Sequence, residues 1–362
     1  MSKYWSRLVG RLQPYVPGEQ PRDMKYIKLN TNENPYGPSP KVLEAIRAGA
    51  DEGLKLYPDP TCGALLEAAA DYYGVGREQI FAGNGSDEVL AFSFMAFFDP
   101  GRTVLFPDIT YTFYPVYTSL FGLDYRTVPV NEDFSLPAEE FYASPGGVII
   151  ANPNAPTGRL MPLESVACIL ENNRDVVVIA DEAYINFGGE SAVGLVKDYP
   201  NLLVIHTFSK YRSLAGMRLG FAIGQPDLIT ALNMVKNSFN SYTLDRLAIA
   251  AGTAAFRDGA YYDGINGRII KTREWFSAEL RSLGFDVPDS VANFVFASHE
   301  RVPASEIFAG LKARGILVRY FDKPRISNRL RITIGTESEM ECVLRALREL
   351  LNQAGINKEI SV

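Results

Sequence analysis

The chain has 362 residues, 47% hydrophobic and 22% charged, which is about two domains' worth of sequence with enough apolar material for a large core. Lys and Arg number 36 against 42 Asp and Glu, and the formal net charge of −6 leaves no global electrostatic footprint for nucleic acid or an anionic membrane. Two histidines (His206, His299) and three widely spaced cysteines (Cys62, Cys168, Cys342) offer no zinc-like pairing, so the pattern points away from a metal site, Ser-His hydrolysis and a disulfide framework.

No run approaches the roughly 18 apolar residues of a membrane helix. The start, Met1-Ser2-Lys3-Tyr4-Trp5-Ser6-Arg7, lacks the apolar core of a secretion signal, so a cytoplasmic protein is expected. Residues 1–30 carry Pro14, Pro17, Gly18 and Pro21, a composition that favours an extended arm. From about Ile80, short apolar runs at 103–106, 147–151, 175–180, 202–208 and 220–224 alternate with amphipathic stretches such as 163–171. That alternation predicts an α/β fold with a parallel sheet covered by helices on both faces. Beyond Phe256 the pattern changes to a long charged helix over 265–283, strands at 293–297, 316–320 and 330–334, and a final helix over 337–352. This reads as a smaller α+β domain, giving an arm (1–30), a large domain (31–264) and a small domain (265–362).

Ligands of open parallel sheets bind beyond the carboxyl ends of the strands, so polar residues just after apolar runs are the informative ones. Gly83-Asn84-Gly85-Ser86-Asp87-Glu88 precedes an apolar helix over 89–98. Its glycines allow a tight turn, Ser86 can cap the helix, and the free N–H groups with the positive dipole end suit an anion. The same turn also serves as an ordinary capped helix start. Asp181 ends the run Val176-Val177-Val178-Ile179-Ala180, where a desolvated carboxylate needs donors or a cation, or else caps the next segment. Lys210 follows His206-Thr207-Phe208-Ser209 at the same edge, where it is either a solvated surface lysine or, beside other cations, an amine nucleophile of lowered pKa. Asn152-Pro153-Asn154-Ala155-Pro156-Thr157-Gly158 reads alone as a turn-rich loop. With Arg218 in Leu214-Ala215-Gly216-Met217-Arg218, these features share one edge, in that order.

On those residues the chain resembles the pyridoxal-phosphate aminotransferases of the aspartate aminotransferase fold type, and within them the histidinol-phosphate branch. The likeness runs from about Leu12 to the last helix. It implies a fold-type I architecture: a large, cofactor-binding domain with a mostly parallel seven-stranded sheet between helices, plus a smaller α+β domain. It also implies pyridoxal 5′-phosphate as cofactor.

By the same resemblance, Lys210 carries the cofactor and moves the substrate's α-proton, Asp181 pairs with the pyridine nitrogen, and Tyr184 donates to the phenolic oxygen. Tyr111 stacks on the ring. Gly85, Ser86, Asp87, Thr207, Ser209 and Arg218 cage the phosphate, and Tyr57 reaches it from the neighbouring subunit of a homodimer. Arg319 and Arg331, with Tyr15 and Asn32, would bind the small-molecule amino donor and the 2-oxo acid acceptor. Many relatives carry asparagine directly before Pro-Thr-Gly, where this chain has Ala155. Either the neighbouring Asn154 takes over the contact to the ring's phenolic oxygen or Tyr184 carries it alone. An aromatic amino-acid aminotransferase and a phosphothreonine decarboxylase of the same fold share most of these residues, while a DNA-binding regulator does not fit the acidic chain.

Overall fold

The computed structural model describes residues 2–355. Its strands in chain order are β1 (Ile27–Lys28), β2 (Ile80–Asn84), β3 (Val104–Pro107), β4 (Tyr125–Val128), β5 (Gly147–Ala151), β6 (Val178–Asp181), β7 (Leu202–Thr207) and β8 (Leu219–Gly224). These are followed by β9 (Phe285–Asp286), β10 (Phe294–His299), β11 (Ile316–Leu317), β12 (Arg319–Tyr320) and β13 (Leu330–Thr333).

A seven-stranded sheet in the order β2-β8-β7-β6-β5-β3-β4 forms the centre, as the fold type requires. Its neighbours pair in parallel except around β8, which is antiparallel to both β2 and β7. The sheet is therefore mostly parallel, as expected, with β8 the antiparallel exception, and β2 and β4 join the five strands read from apolar runs. Strand β4 escapes an apolar criterion because Tyr125, Arg126 and Thr127 are exposed on the sheet edge.

Both faces are packed, which is why β5, β6 and most of β7 are buried throughout rather than alternating. One face places Val148, Ile150, Val178, Ala180, Leu202 and Val204 in a core with helices Gly63–Tyr73, Leu163–Glu171 and Arg246–Phe256. The other places Ile149, Ile179, Leu203 and Ile205 against helices Gly85–Phe97, Tyr114–Phe121 and Pro226–Phe239. With a strand period of two, Asp181 shares the face of Ile179, and Glu182 shares the face of Ala180 and His206.

The C-terminal part holds a four-stranded sheet, β12-β13-β10-β9, and the helices Gly259–Ser282, Ala304–Ala313 and Glu337–Gln353. The expected strand over 316–320 is split. Ile316–Leu317 pairs in parallel with β1, and Arg319–Tyr320 turns to pair with β13. The arm is mostly irregular, as its prolines dictate, but its end is stitched to the C-terminal part by β1. The last helix begins on a capping box, Thr336 with Glu339.

Beyond β1, the segment 30–34 is clamped by the small sheet. The Thr333 hydroxyl accepts from the Asn32 N–H at 3.1 Å and donates to Asn32 Oδ1 at 2.9 Å, and Asn293 Nδ2 donates to the Asn32 carbonyl at 3.0 Å. All three side chains are buried. Thr333→Val keeps the shape and leaves two buried polar groups of Asn32 without partners, at a cost of about 2 kcal/mol. Denaturant titration should show the lowered midpoint, and hydrogen exchange should locate the loss at 30–34. An unchanged midpoint would show that this clamp contributes nothing.

Candidate active site

A cavity of about 220 Å³ opens at the carboxyl edge of the central sheet. Among the residues expected at a site, its wall contains Ser86, Asp87, Tyr111, Asp181, Tyr184, Thr207, Ser209, Lys210 and Arg218 from the central part. Arg319 and Arg331 line it from the small sheet, and Tyr15 and Asn32 from the N-terminal segment.

Topology explains the placement. Parallel strands β2, β6 and β7 deliver Ser86, Asp181 and Lys210 just beyond their carboxyl ends. Because β8 runs the other way, the residue before it reaches the same edge, and that residue is Arg218, held at φ 51°.

The helix Gly85–Phe97 begins one turn earlier than expected, with Asn84 as N-cap and no side-chain cap, so Ser86 lies inside the first turn with its hydroxyl free of that task. Gly85 takes φ 80°, and a Cβ there would lie 2.5 Å from Arg218 Nη2. A Cβ on Gly220 would lie 2.3 Å from the Ser86 nitrogen. Two glycines thus let a helix N-terminus, a guanidinium and a strand crowd together, forming a cradle suited to phosphate. Arg218 meets Asp87 at 3.2 Å and Ser209 Oγ at 3.5 Å.

Asp181 is fully buried. Its Oδ2 accepts from the Tyr114 hydroxyl at 2.8 Å, while Oδ1 has no partner. Burial raises its pKa to about 6, although the Tyr114 bond works the other way. A bare carboxylate oxygen in an apolar surround is the site a protonated ring nitrogen fits, so the residues present accommodate pyridoxal 5′-phosphate: oxygen for the ring, cradle for the phosphate.

Lys210 Nζ donates to the Thr31 carbonyl at 2.8 Å and lies 5.9 Å from the centre of the Tyr184 ring. Burial lowers its pKa to about 8, with Glu33 opposing and Arg331 assisting. Tyr184 accepts from Asn32 Nδ2 at 2.9 Å, which leaves its own proton free to donate. Tyr111 is tied to Asp87 at 2.8 Å.

Arg319 and Arg331 stand directly opposite each other in the β12–β13 pairing. Like charges so placed repel. No carboxylate is bonded to Arg331, whose Nη2 donates to the Asn30 carbonyl at 3.0 Å and whose Nε is buried without a partner. Such a pair is stabilised by an anion supplied from outside.

Three expected residues lie outside this wall: Gly85, which stands behind Ser86 in the cradle, Asn154 and Tyr57. Asn154 is buried with its amide spent on its own loop and on the loop after β3: Nδ2 donates to the Ile109 carbonyl and to Thr157 Oγ1, and Oδ1 accepts from Thr110 at 2.8 Å. The cavity position is Ala155, so of the two possibilities Tyr184 is the one left facing the site. Tyr57 is 81% exposed and stacks on Tyr242 at 4.5 Å, away from the cavity of its own chain. His206 is a packed residue, stacked on Phe221 and 3.4 Å from the buried Glu182, with burial lowering its pKa to about 3. Tyr114 and Thr31 also belong to the site and carried no local signal, since each bonds a group far away in sequence, and Glu33 lines the cavity while bonded to its neighbours Lys28 and Thr31. Among the described residues no cluster of metal-ligating side chains occurs and no helix is long and apolar enough to cross a membrane.

Two outcomes follow from this geometry. With a pKa near 8, Lys210 should be acylated by a small amine-directed reagent with a midpoint near pH 8 in the cofactor-free protein, followed by peptide mass spectrometry. The amine is charged and inert below that value. A midpoint near 10.5, the ordinary lysine value, would contradict the burial argument. Gly220→Ala should weaken cofactor binding at least tenfold by forcing the Ser86 N–H out of the cradle, read by equilibrium titration with pyridoxal 5′-phosphate, and should affect phosphate-free pyridoxal far less.

Residues 24–347 match the family model described as aminotransferase class I and II. The chain is 57% identical over 351 residues to the histidinol-phosphate aminotransferase of Clostridium acetobutylicum, covering 97% of this chain and 100% of that protein. It is 54% identical to that of Clostridium botulinum (strain Okra / Type B1), with coverage of 98% and 100%. Among solved structures, the histidinol-phosphate aminotransferase of Sinorhizobium meliloti in complex with pyridoxal 5′-phosphate superposes with a TM-score of 0.88 at 26% identity, covering 98% and 99% of the two chains. The bare Asp181 oxygen, the glycine-cut phosphate cradle and the buried Lys210 thus sit in a chain that belongs to the class I and II aminotransferases.

Proposed function

We propose that the protein is a histidinol-phosphate aminotransferase, moving the amino group of L-histidinol phosphate to 2-oxoglutarate to give imidazole-acetol phosphate and L-glutamate in histidine biosynthesis. The observation that carries this reading is the pair of opposed arginines, Arg319 and Arg331, in the same cavity as the buried amine of Lys210. Histidinol phosphate has no α-carboxylate, so the pair holds its phosphate in one half-reaction and the acceptor's carboxylate in the other.

Bound pyridoxal 5′-phosphate supplies an electron sink next to the substrate's α-carbon. Backbone N–H groups of Gly85, Ser86 and Asp87, the hydroxyls of Thr207 and Ser209, and Arg218 hold its phosphate. Asp181 Oδ1, which has no partner of its own, would take the ring N–H, and the surrounding apolar residues would keep that bond strong. Tyr184, oriented by Asn32, donates to the phenolic oxygen. Tyr111, tethered by Asp87, covers the ring. Lys210 would hold the cofactor through its amine and, once the substrate's amine has displaced it, would be the free base beside the substrate's α-carbon that takes and returns the α-proton. Its lowered pKa is what makes it a base near neutral pH.

Tyr15 stacks on Phe113 at 4.8 Å and lines the cavity, which supports assigning its hydroxyl to the substrate phosphate. The exposed Tyr57 completes the partner's phosphate site in a homodimer, and the exposed Leu54, Leu56, Met234 and Phe239 supply apolar contact for that assembly. We place this enzyme in the cytoplasm, with the arm at 1–30, a large domain at 31–264 and a small one at 265–362.

A substrate panel tests the reading. Imidazole-acetol phosphate should be aminated at least tenfold faster per unit concentration than phenylpyruvate, and phosphothreonine should release no carbon dioxide. The reverse preference, or decarboxylation, would replace this function by another of the same fold. Lys210→Ala should lose turnover by at least about a thousandfold while still binding the cofactor, which removes amine and base together.

A further inference from the structure

The cavity wall carries four cations, Lys210, Arg218, Arg319 and Arg331, and three carboxylates, Asp87, Asp181 and Glu33. Asp87 is engaged by Arg218 and Tyr111, and Asp181 by Tyr114 on one oxygen, with the other open to the cofactor ring. Glu33 is also ion-paired, but its partners come from the N-terminal segment and not from the phosphate cradle or the ring position. Its side chain, 40% exposed, is braced by Lys28 and the Thr31 hydroxyl, and Lys28 stands outside the wall. A carboxylate offers about four acceptor positions, so this brace orients Glu33 and still leaves acceptor capacity facing the cavity. Burial opposes its ionisation, but the bonds from Lys28 and Thr31 outweigh burial and keep its pKa below the ordinary value.

An ionised carboxylate on the wall of a site for anionic substrates weakens their binding unless those substrates also bring a donor. Histidinol phosphate does: its α-carbon bears the phosphate on one branch and an imidazole ring, with an N–H, on the other. The arginine pair takes the phosphate branch, so the ring projects to a different wall. Asp87 stands in the phosphate cradle and Asp181 at the ring-nitrogen position, so among the carboxylates lining the cavity Glu33 is the one set apart from the cofactor's own contacts and available to the ring.

We infer that Glu33 is a specificity residue, accepting the N–H of the substrate's imidazole ring, and that Lys28 is a positioning residue that sets the direction of its carboxylate. This inference rests on the histidinol-phosphate reading. A site built to accept a hydrogen bond rejects a shape-matched ligand without the donor much more strongly than an apolar pocket does.

Two unreactive probes separate the possibilities, 3-(imidazol-4-yl)propyl phosphate and 3-phenylpropyl phosphate, neither of which has an amine. Calorimetry on the cofactor-loaded enzyme should give about thirtyfold tighter binding of the imidazole probe, the size expected of a hydrogen bond to a charged group. Glu33→Gln should reduce that ratio to a few-fold by weakening the imidazole probe alone, with the phenyl probe within twofold of wild type as proof of an intact cavity. Lys28→Met should give an intermediate ratio. Equal binding of both probes to the wild type overturns the inference, as does a Glu33→Gln variant that weakens both probes equally, the mark of a structural brace. A wild-type enzyme that prefers the imidazole probe but does not transaminate histidinol phosphate supports ring recognition and overturns the activity reading.

Discussion

One buried and two half-buried charged or chargeable groups stand at one edge of the central sheet with their partners left incomplete, and the rest of the structure is arranged around that constraint. Asp181 keeps one bare oxygen, Arg331 one bare nitrogen, and Lys210 a single bond to a backbone carbonyl. Left to themselves, a buried acid and half-buried bases would pair and cancel. Here each is tied to a neutral group instead: Asp181 to the Tyr114 hydroxyl, Lys210 to the Thr31 carbonyl, Arg331 to the Asn30 carbonyl. Their pKa values move toward the neutral forms, as desolvation requires, and the unused capacity is what a phosphorylated cofactor and an anionic substrate take up.

The backbone makes this possible by bringing distant segments to one place. The reversed β8 delivers Arg218 to the edge reached by the ends of β2, β6 and β7, and the glycines at 85 and 220 let that strand and a helix N-terminus approach. The segment 30–34 bridges the other side. Held by Thr333 and Asn293 from the small sheet, it presents Thr31 to Lys210, Asn32 to Tyr184 and Asn34 to the carbonyl of Lys210. Arg331 on β13 and the amine of Lys210 are therefore held by carbonyls of the same short segment, Asn30 and Thr31.

Much of this was legible in the sequence because the strand-end rule is local. A buried run followed by a polar residue identifies Asp181 and Lys210, and glycines before a helix identify Ser86. The same locality explains the failures. The amide of Asn154 is consumed by Thr110, Ile109 and Thr157, contacts that a loop sequence does not encode in any periodic pattern. The apolar run over 316–320 reads as one strand, yet β1 claims its first half and β13 its second, because pairing partners and not propensity decide where a strand ends. Tyr114 and Glu33 become site residues only through tertiary contact. Arg319 and Arg331 look like exposed strand arginines until the pairing register sets them face to face.

The most direct measurement is a single half-reaction. The cofactor-loaded enzyme is mixed with L-histidinol phosphate in the absence of any oxo acid, while the visible absorbance of the cofactor is followed and the products are counted. The account predicts loss of the cofactor's aldehyde-derived band with one equivalent of imidazole-acetol phosphate formed per subunit, and recovery of the band when 2-oxoglutarate is added. An unchanged spectrum with no product would contradict it.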